Sequence, residues 1–180
     1  MNQNNPNNIQ TDDYFQTIQP IVDTVSELLE EIIKESESIT ADSLHSNELA
    51  QSELVAIFNS RKVPSITINK YLMRIVKYSH PAYASIITTL IYIDKLCESS
   101  NLILTRMNIH RLLLSCFVIS IKFNEDDYYS NEYYAKVGGV SLCELNKLEE
   151  TILSLLDFSL FIDDELYDNY EKQLSGDDNI

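Results

Sequence analysis

A chain of 180 residues with 44% hydrophobic content has apolar surface for one ordinary core with extensions, and too little for two large domains. Its formal net charge of −15 argues against a nucleic-acid partner, because phosphate contacts need clustered Lys and Arg and no basic patch interrupts the acidic background. With three glycines, four prolines and apolar residues recurring at helical spacing, the chain reads as all-α.

The opening MNQNNPNNIQ is Asn-rich, and residues 1–19 are expected to be a disordered tail, since they offer little apolar surface against the entropy of ordering. They show neither the basic region nor the apolar run of a secretory leader. Cys97, Cys116 and Cys143 are odd in number, widely spaced and each inside a predicted helix. They read as small core residues in a reducing, intracellular compartment.

Pro20 suits the first position of a helix. Ile21, Val22, Val25, Leu28, Leu29, Ile32 and Ile33 then continue as one apolar face, which predicts an extra amphipathic helix over 20–36. Its other face is acidic, with Glu27, Glu30, Glu31 and Glu35, and the helix either packs on the domain or docks another chain. The Ser, Thr and Asp of 37–46 read as a linker. A shorter helix over 47–59 turns Leu49, Leu54, Ile57 and Phe58 inward. After a break at Pro64, Thr67 caps a helix over 67–78 that presents Tyr71, Leu72 and Ile75 inward. His80 and Pro81 turn the chain into a helix over 81–97, free of charge until Asp94.

The next stretch, MNIHRLLLSCFVISIKF, is apolar almost all round and must be ringed by other helices or sit in a membrane. Arg111 and Lys122 bracket a run of only ten residues, short of the roughly 20 that a bilayer span requires, so no membrane partner is expected. It therefore reads as the central helix of a bundle, over 107–123, capped by Thr105 and stopped in the acidic turn 124–127. At about 100° per residue, Arg111, Ser115 and Lys122 share a narrow stripe with Val118, a stripe placed to face a partner. Lys122 also complements the negative end of the helix dipole.

A helix over 131–137 is closed by Gly138 and Gly139. Ser141 and Glu144 form a capping box that opens a helix over 142–156. On it Leu142, Leu145, Glu149, Ile152 and Leu156 share one stripe, and a carboxylate in an aliphatic seam is unfavourable unless it finds a cation or several donors. Spacing alone leaves open whether Glu149 is a solvated charge beside Glu150, and whether Lys122 is a helix-end lysine with a wet head. Residues 163–180 read as an acidic tail. His45, His80 and His110 lie far apart, and no nucleophile motif, phosphate-binding loop or CxxC pair is present, so neither catalysis nor a metal or cofactor is expected.

The pieces VPSITINKYLMRIVKY, HPAYASIITTLIYIDKL, NIHRLLLSCFVISIKF and NEYYAKVGGVSLCELNKLEETILSLLDFSL, in that order, resemble a cyclin box, and their wording is similar to P-type or U-type cyclins. The resemblance covers 47–162 and leaves the 20–36 helix and both tails outside. It implies a single five-helix module with a central third helix, preceded by additional N-terminal helices. It also implies a regulatory subunit that binds and activates a cyclin-dependent kinase by stabilising its inward C-helix. In that family a lysine ending the third helix and a glutamate in the fifth grip the main chain around the kinase C-helix; Lys122 and Glu149 match them. Ile119, Phe123, Leu153, Phe158 and Leu160 match the apolar part of the same surface. Arg74 and Asp94 match an arginine and an aspartate that pair inside the family's fold. The chain departs from mitotic cyclins in having no Trp for a substrate-recruiting groove and no counterpart of their second five-helix repeat. A cyclin-fold scaffold or transcription-associated module without kinase activation is the alternative, since fold alone does not fix function.

Overall fold

The computed structural model describes the backbone of residues 6–42 and 53–176, with side chains over 13–39 and 55–176. Among the described residues there are eight helices: α1 (Pro6–Asp42), α2 (Glu53–Ala56), α3 (Ile68–Ser79), α4 (Tyr83–Ser100), α5 (Ile109–Asn124), α6 (Asn131–Gly138), α7 (Leu142–Leu155) and α8 (Asp164–Ser175). The all-α reading holds. The 107–123 stretch is the buried rod around which α3, α4, α6 and α7 pack, and every side chain from Leu112 to Ile121 is buried.

Local chemistry sets most of the boundaries. Thr67 caps α3 by accepting the Lys70 N–H, and Ser130, Ser141 and Asp163 do the same for α6, α7 and α8. His80 and Asn101 end α3 and α4 in the left-handed conformation, and Gly139 ends α6 at φ +74. The first turn of α4 has no cap of its own. Glu125, from the acidic turn after α5, supplies one by accepting the Ala82 N–H at 3.0 Å and the Ser85 hydroxyl. A negative charge is well placed at that helix end.

Several expectations are corrected. The N-terminal helix begins at Pro6, so the stretch expected to be disordered from 6 onward is helical, and Pro20 lies inside α1. Tyr14, Phe15 and Ile18 already stand in register with Ile21, Val22 and Val25, so the buried face continues through Pro20, whose own ring faces solvent. Of the expected 47–59 helix only Glu53–Ala56 is helical among the described residues, and of the expected 37–46 linker residues 37–42 are the last turns of α1, while 43–52 lie outside the described residues. The central helix starts at Ile109 rather than 107 and Thr105 is not its cap. Asn108 sits at that position and uses its side chain on the loop instead, accepting the Thr105 N–H and donating to the Ile103 carbonyl. Glu144 does not complete a capping box: its N–H bonds Ser141, but its carboxylate goes to Arg111. Cys116 is buried as expected and Cys97 half-buried, whereas Cys143 is exposed.

The acidic tail is also helical. Leu166, Tyr167, Tyr170 and Leu174 recur along one face of α8 and pack back on α4 and α1, which is why an otherwise charged segment is held in place. α1 packs on the bundle through Val22, Val25, Leu29 and Ile33. Asp23 and Ser26 accept from Asn69 of α3, and Glu30 and Glu37 pair with Arg106.

Candidate functional site

Lys122 occupies the last turn of α5, where the helix emerges from its ring of neighbours into the acidic turn. Glu149 lies two turns into α7. Packing α5 against α7 brings Lys122 Nζ to 2.6 Å from Glu149 Oε1, with the side chains 28% and 16% exposed. The sequence separated these groups by a whole helix, and the fold makes them one charged clamp at the surface. Asn131, the first residue of α6, donates to Glu149 Oε2 at 2.7 Å and fixes the carboxylate from its other side. No sequence signal marked Asn131 for that part. It was legible only as a helix-start residue after Ser130.

The apolar members divide. Phe123, next to Lys122, is 50% exposed. Leu153 follows Glu149 by one helical turn on the same face. Phe158 donates its N–H to the Leu153 carbonyl at 2.9 Å and Leu160 donates to the Phe158 carbonyl at 3.0 Å, so the chain turns sharply at the end of α7. Asp157 and Phe158 both take positive φ, 49° and 55°, which is uncommon for residues with a side chain and most unfavourable for a bulky one. The result is a phenylalanine 69% exposed at the head of the turn. Strain of this kind clusters at binding sites. Tyr92 donates to the Leu160 carbonyl and Lys95 to that of Phe161, tying the segment to α4 and leaving Phe161 74% exposed. Phe161 was missed, although the run FSLF carried the hint.

Ile119 is corrected. It is only 2% exposed and belongs to the core, because α5 is enclosed from Leu112 to Ile121 and its C-terminal end clears the neighbours only at Lys122, Phe123 and Asn124. The stripe of Arg111, Ser115, Val118 and Lys122 is likewise not a continuous outer face. Arg111 pairs with Glu144 and Lys122 with Glu149, both on α7, and Ser115 and Val118 are buried between.

The expected Arg74–Asp94 pair is absent. Asp94 accepts the Tyr170 hydroxyl at 2.7 Å, and Arg74 reaches the Gly138 carbonyl at 3.4 Å while lying over the Tyr71 ring at 4.9 Å. The physical reason is placement: Arg74 on α3 is held at the C-terminal end of α6, while Asp94 on α4 faces α8, which supplies it with a donor. Burial raises the Asp94 pKa, and the Tyr170 hydrogen bond works against that rise.

The five helices α3 to α7, wound with α5 at the centre, are the arrangement of a cyclin box. The sequence profile of the cyclin family matches residues 7–160, and the chain belongs to that family. Within it the chain is similar to the P-type and U-type branch. It is 36% identical over 133 residues to Cyclin-P3-1 of Oryza sativa subsp. japonica, a match covering 74% of this chain and 56% of that protein. It is 38% identical over 128 residues to Cyclin-U1-1 of Arabidopsis thaliana, covering 68% and 61%. It is 42% identical over 108 residues to the PHO85 cyclin-like protein psl1 of Schizosaccharomyces pombe, covering 59% and 44%. The match thus spans about half the length of these relatives. The family profile also reaches back to residue 7, so α1, placed outside the resemblance by the motifs alone, falls within it.

Proposed function

We propose that the chain is the regulatory subunit of a cyclin-dependent serine/threonine kinase and has no catalysis of its own. The observation that carries this reading is the 2.6 Å contact between Lys122 and Glu149 at the surface, with the exposed ring of Phe123 next to Lys122 in the chain and that of Phe158 exposed where α7 ends. The ammonium spends one of its three donors on Glu149 and keeps the others for main-chain carbonyls of a partner, while the carboxylate oxygens retain lone pairs for partner N–H groups. Phe123, Leu153, Phe158 and Leu160 fill apolar pockets of the partner, and the clamp fixes register.

A kinase of this class works only when its C-helix glutamate pairs with the strand lysine that holds the ATP phosphates. A subunit that prefers the inward position of that helix shifts the population toward it. Carrying the equilibrium from 1:99 to 99:1 takes about 5.5 kcal/mol of preference between the two states. The name of the fission-yeast relative, a PHO85 cyclin-like protein, makes a PHO85-like kinase the first partner to try. The experiment mixes the purified chain with cyclin-free kinases and measures complex formation by gel filtration and phosphorylation of a peptide substrate. A stable complex with raised activity is expected. Complex formation without activation favours a scaffold, and no complex with any member of the panel overturns the reading.

A further inference from the structure

Residues 156–163, between α7 and α8, lie outside any helix and carry two exposed rings, Phe158 and Phe161. At 74%, Phe161 is the most exposed large apolar side chain among the described residues. Its backbone is nevertheless pinned. Leu160 and Ile162 pack on the core, and the Leu160 carbonyl accepts the hydroxyl of the fully buried Tyr92 at 2.9 Å. The Phe161 carbonyl accepts from Lys95 Nζ at 3.3 Å, and Asp163 then caps α8 by accepting the Leu166 N–H at 2.8 Å. With its neighbours on both sides turned inward, Phe161 is turned out, in the alternation of an extended chain.

A ring so exposed contributes little to the core, and nearly all its apolar surface is available to a partner. A ring on a pinned main chain also loses less freedom on binding than one on a loose loop.

The position of Phe161 limits what covers it. Three residues of chain span no more than about 11 Å, so Phe161 lies within that reach of Phe158, which the reading above gives to the kinase. A stable interface takes about 800 Å² from each partner, a patch roughly 30 Å across, wide enough to hold both rings. A second copy of this chain is the poorer occupant, because a net charge of −15 on each opposes their association. The charge beside the ring adds a condition. Lys95 has no carboxylate partner among the described residues, and its ammonium keeps donors beyond the one spent on Phe161.

We propose that Phe161 is a specificity-determining anchor, which selects a kinase whose facing surface holds an apolar pocket with an acidic side chain at its rim. The ring fills the pocket and Lys95 meets the carboxylate. This rests on the kinase reading above.

The test uses the full chain and the kinase panel. Affinities and thermal midpoints are measured for wild type, Phe161→Ala, Phe161→Leu, Lys95→Glu and, as a control, Val63→Ala, whose side chain is exposed in the loop before α3. On the kinase bound most tightly by wild type, Phe161→Ala is expected to weaken binding about tenfold or more at an unchanged midpoint, and to narrow the differences across the panel. Phe161→Leu is expected to recover part of the loss, Lys95→Glu to weaken binding, and Val63→Ala to leave it unchanged. A photoreactive benzoylphenylalanine at position 161 is expected to cross-link to that kinase, which a ring acting only through the fold of its loop does not do. Wild-type affinity in Phe161→Ala or Lys95→Glu, an equal loss on every kinase, a loss matched by a fallen midpoint, or no cross-link overturns the proposal and leaves the kinase reading standing. A dimeric free chain that becomes monomeric as Phe161→Ala gives the ring to a self-interface and overturns it too. If wild type binds no kinase, both readings fall.

Discussion

Tyr170 donates its hydroxyl hydrogen to Asp94 across 76 residues of sequence, and this bond joins α8 to α4 at the aspartate for which an ion pair with Arg74 was expected. The two arrangements predict different mutational outcomes. Removing one partner of a buried ion pair is destabilising by about 3–5 kcal/mol. With Tyr170 as the partner, Asp94→Asn keeps an oxygen that accepts the hydroxyl and sheds a half-buried charge. Urea unfolding at pH 7 is expected to find Asp94→Asn within about 1 kcal/mol of wild type, and Tyr170→Phe destabilised by about 1–2 kcal/mol.

The same site sets a pH dependence. Asp94 titrates above its ordinary value of 3.8 in the folded chain, chiefly because burial disfavours its charge. Between the two values the folded state holds more protons than the unfolded one, so stability from this group is present below the unfolded value and lost as pH rises through the folded value. The stability of Asp94→Asn relative to wild type is therefore expected to improve as pH is raised from 3.8, and unfolding measured on both proteins across the acid range checks it.

Gly138 is enclosed. A Cβ built on it lies 2.2 Å from Leu114 Cδ2 and 2.8 Å from Cδ1, and Leu114 is itself fully buried in α5. Gly→Ala inside a helix ordinarily stabilises by up to about 1 kcal/mol, but overpacking a full core commonly destabilises by about 1–3 kcal/mol. The clash is the larger effect here. Gly138→Ala is expected to lower the thermal midpoint, and an unchanged or raised midpoint contradicts this packing.

Ile119 and Phe123 stand one turn apart on α5 and were expected to share a role. Ile119→Ala removes core volume and is expected to destabilise by about 2–5 kcal/mol. Phe123→Ala, at a side chain half in solvent, is expected to change stability by no more than about 0.5 kcal/mol while weakening capture by the kinase. Parallel unfolding and pull-down measurements separate the two.

The helices that form the ring around α5 were legible because their signals are local: period-3.6 apolar faces, Thr67 and Ser141 as caps, and Gly139 as a stop. α8 and the first turns of α1 were missed for one reason. Their apolar residues are few, and Tyr14, Phe15, Tyr167 and Tyr170 become helix-stabilising only against a face that the rest of the fold provides. The clamp was half legible. Lys122 and Glu149 stood out as charges in apolar stripes, yet spacing within one helix says nothing about a partner on another, and the resemblance was needed to join them. Asn131, which orients Glu149, and the Arg111–Glu144 pair that runs parallel to the clamp left no trace in either kind of reading, since both depend on how α6 and α7 pack on α5. Ile119 was placed on the contact surface by the resemblance, and a motif match carries no depth: its direction on α5 is close to that of Phe123, and only the enclosing helices separate core from surface.

The central claim is most directly tested by kinase activation measured with Lys122→Glu, Glu149→Lys and the double exchange. Each single variant sets two like charges together and is expected to lose binding and activation. The double exchange restores the internal pair, and with it stability, but presents the charges to the partner in reversed positions, so its activation is expected to stay low. Variants that fold, bind and activate as well as wild type contradict the assignment of this surface.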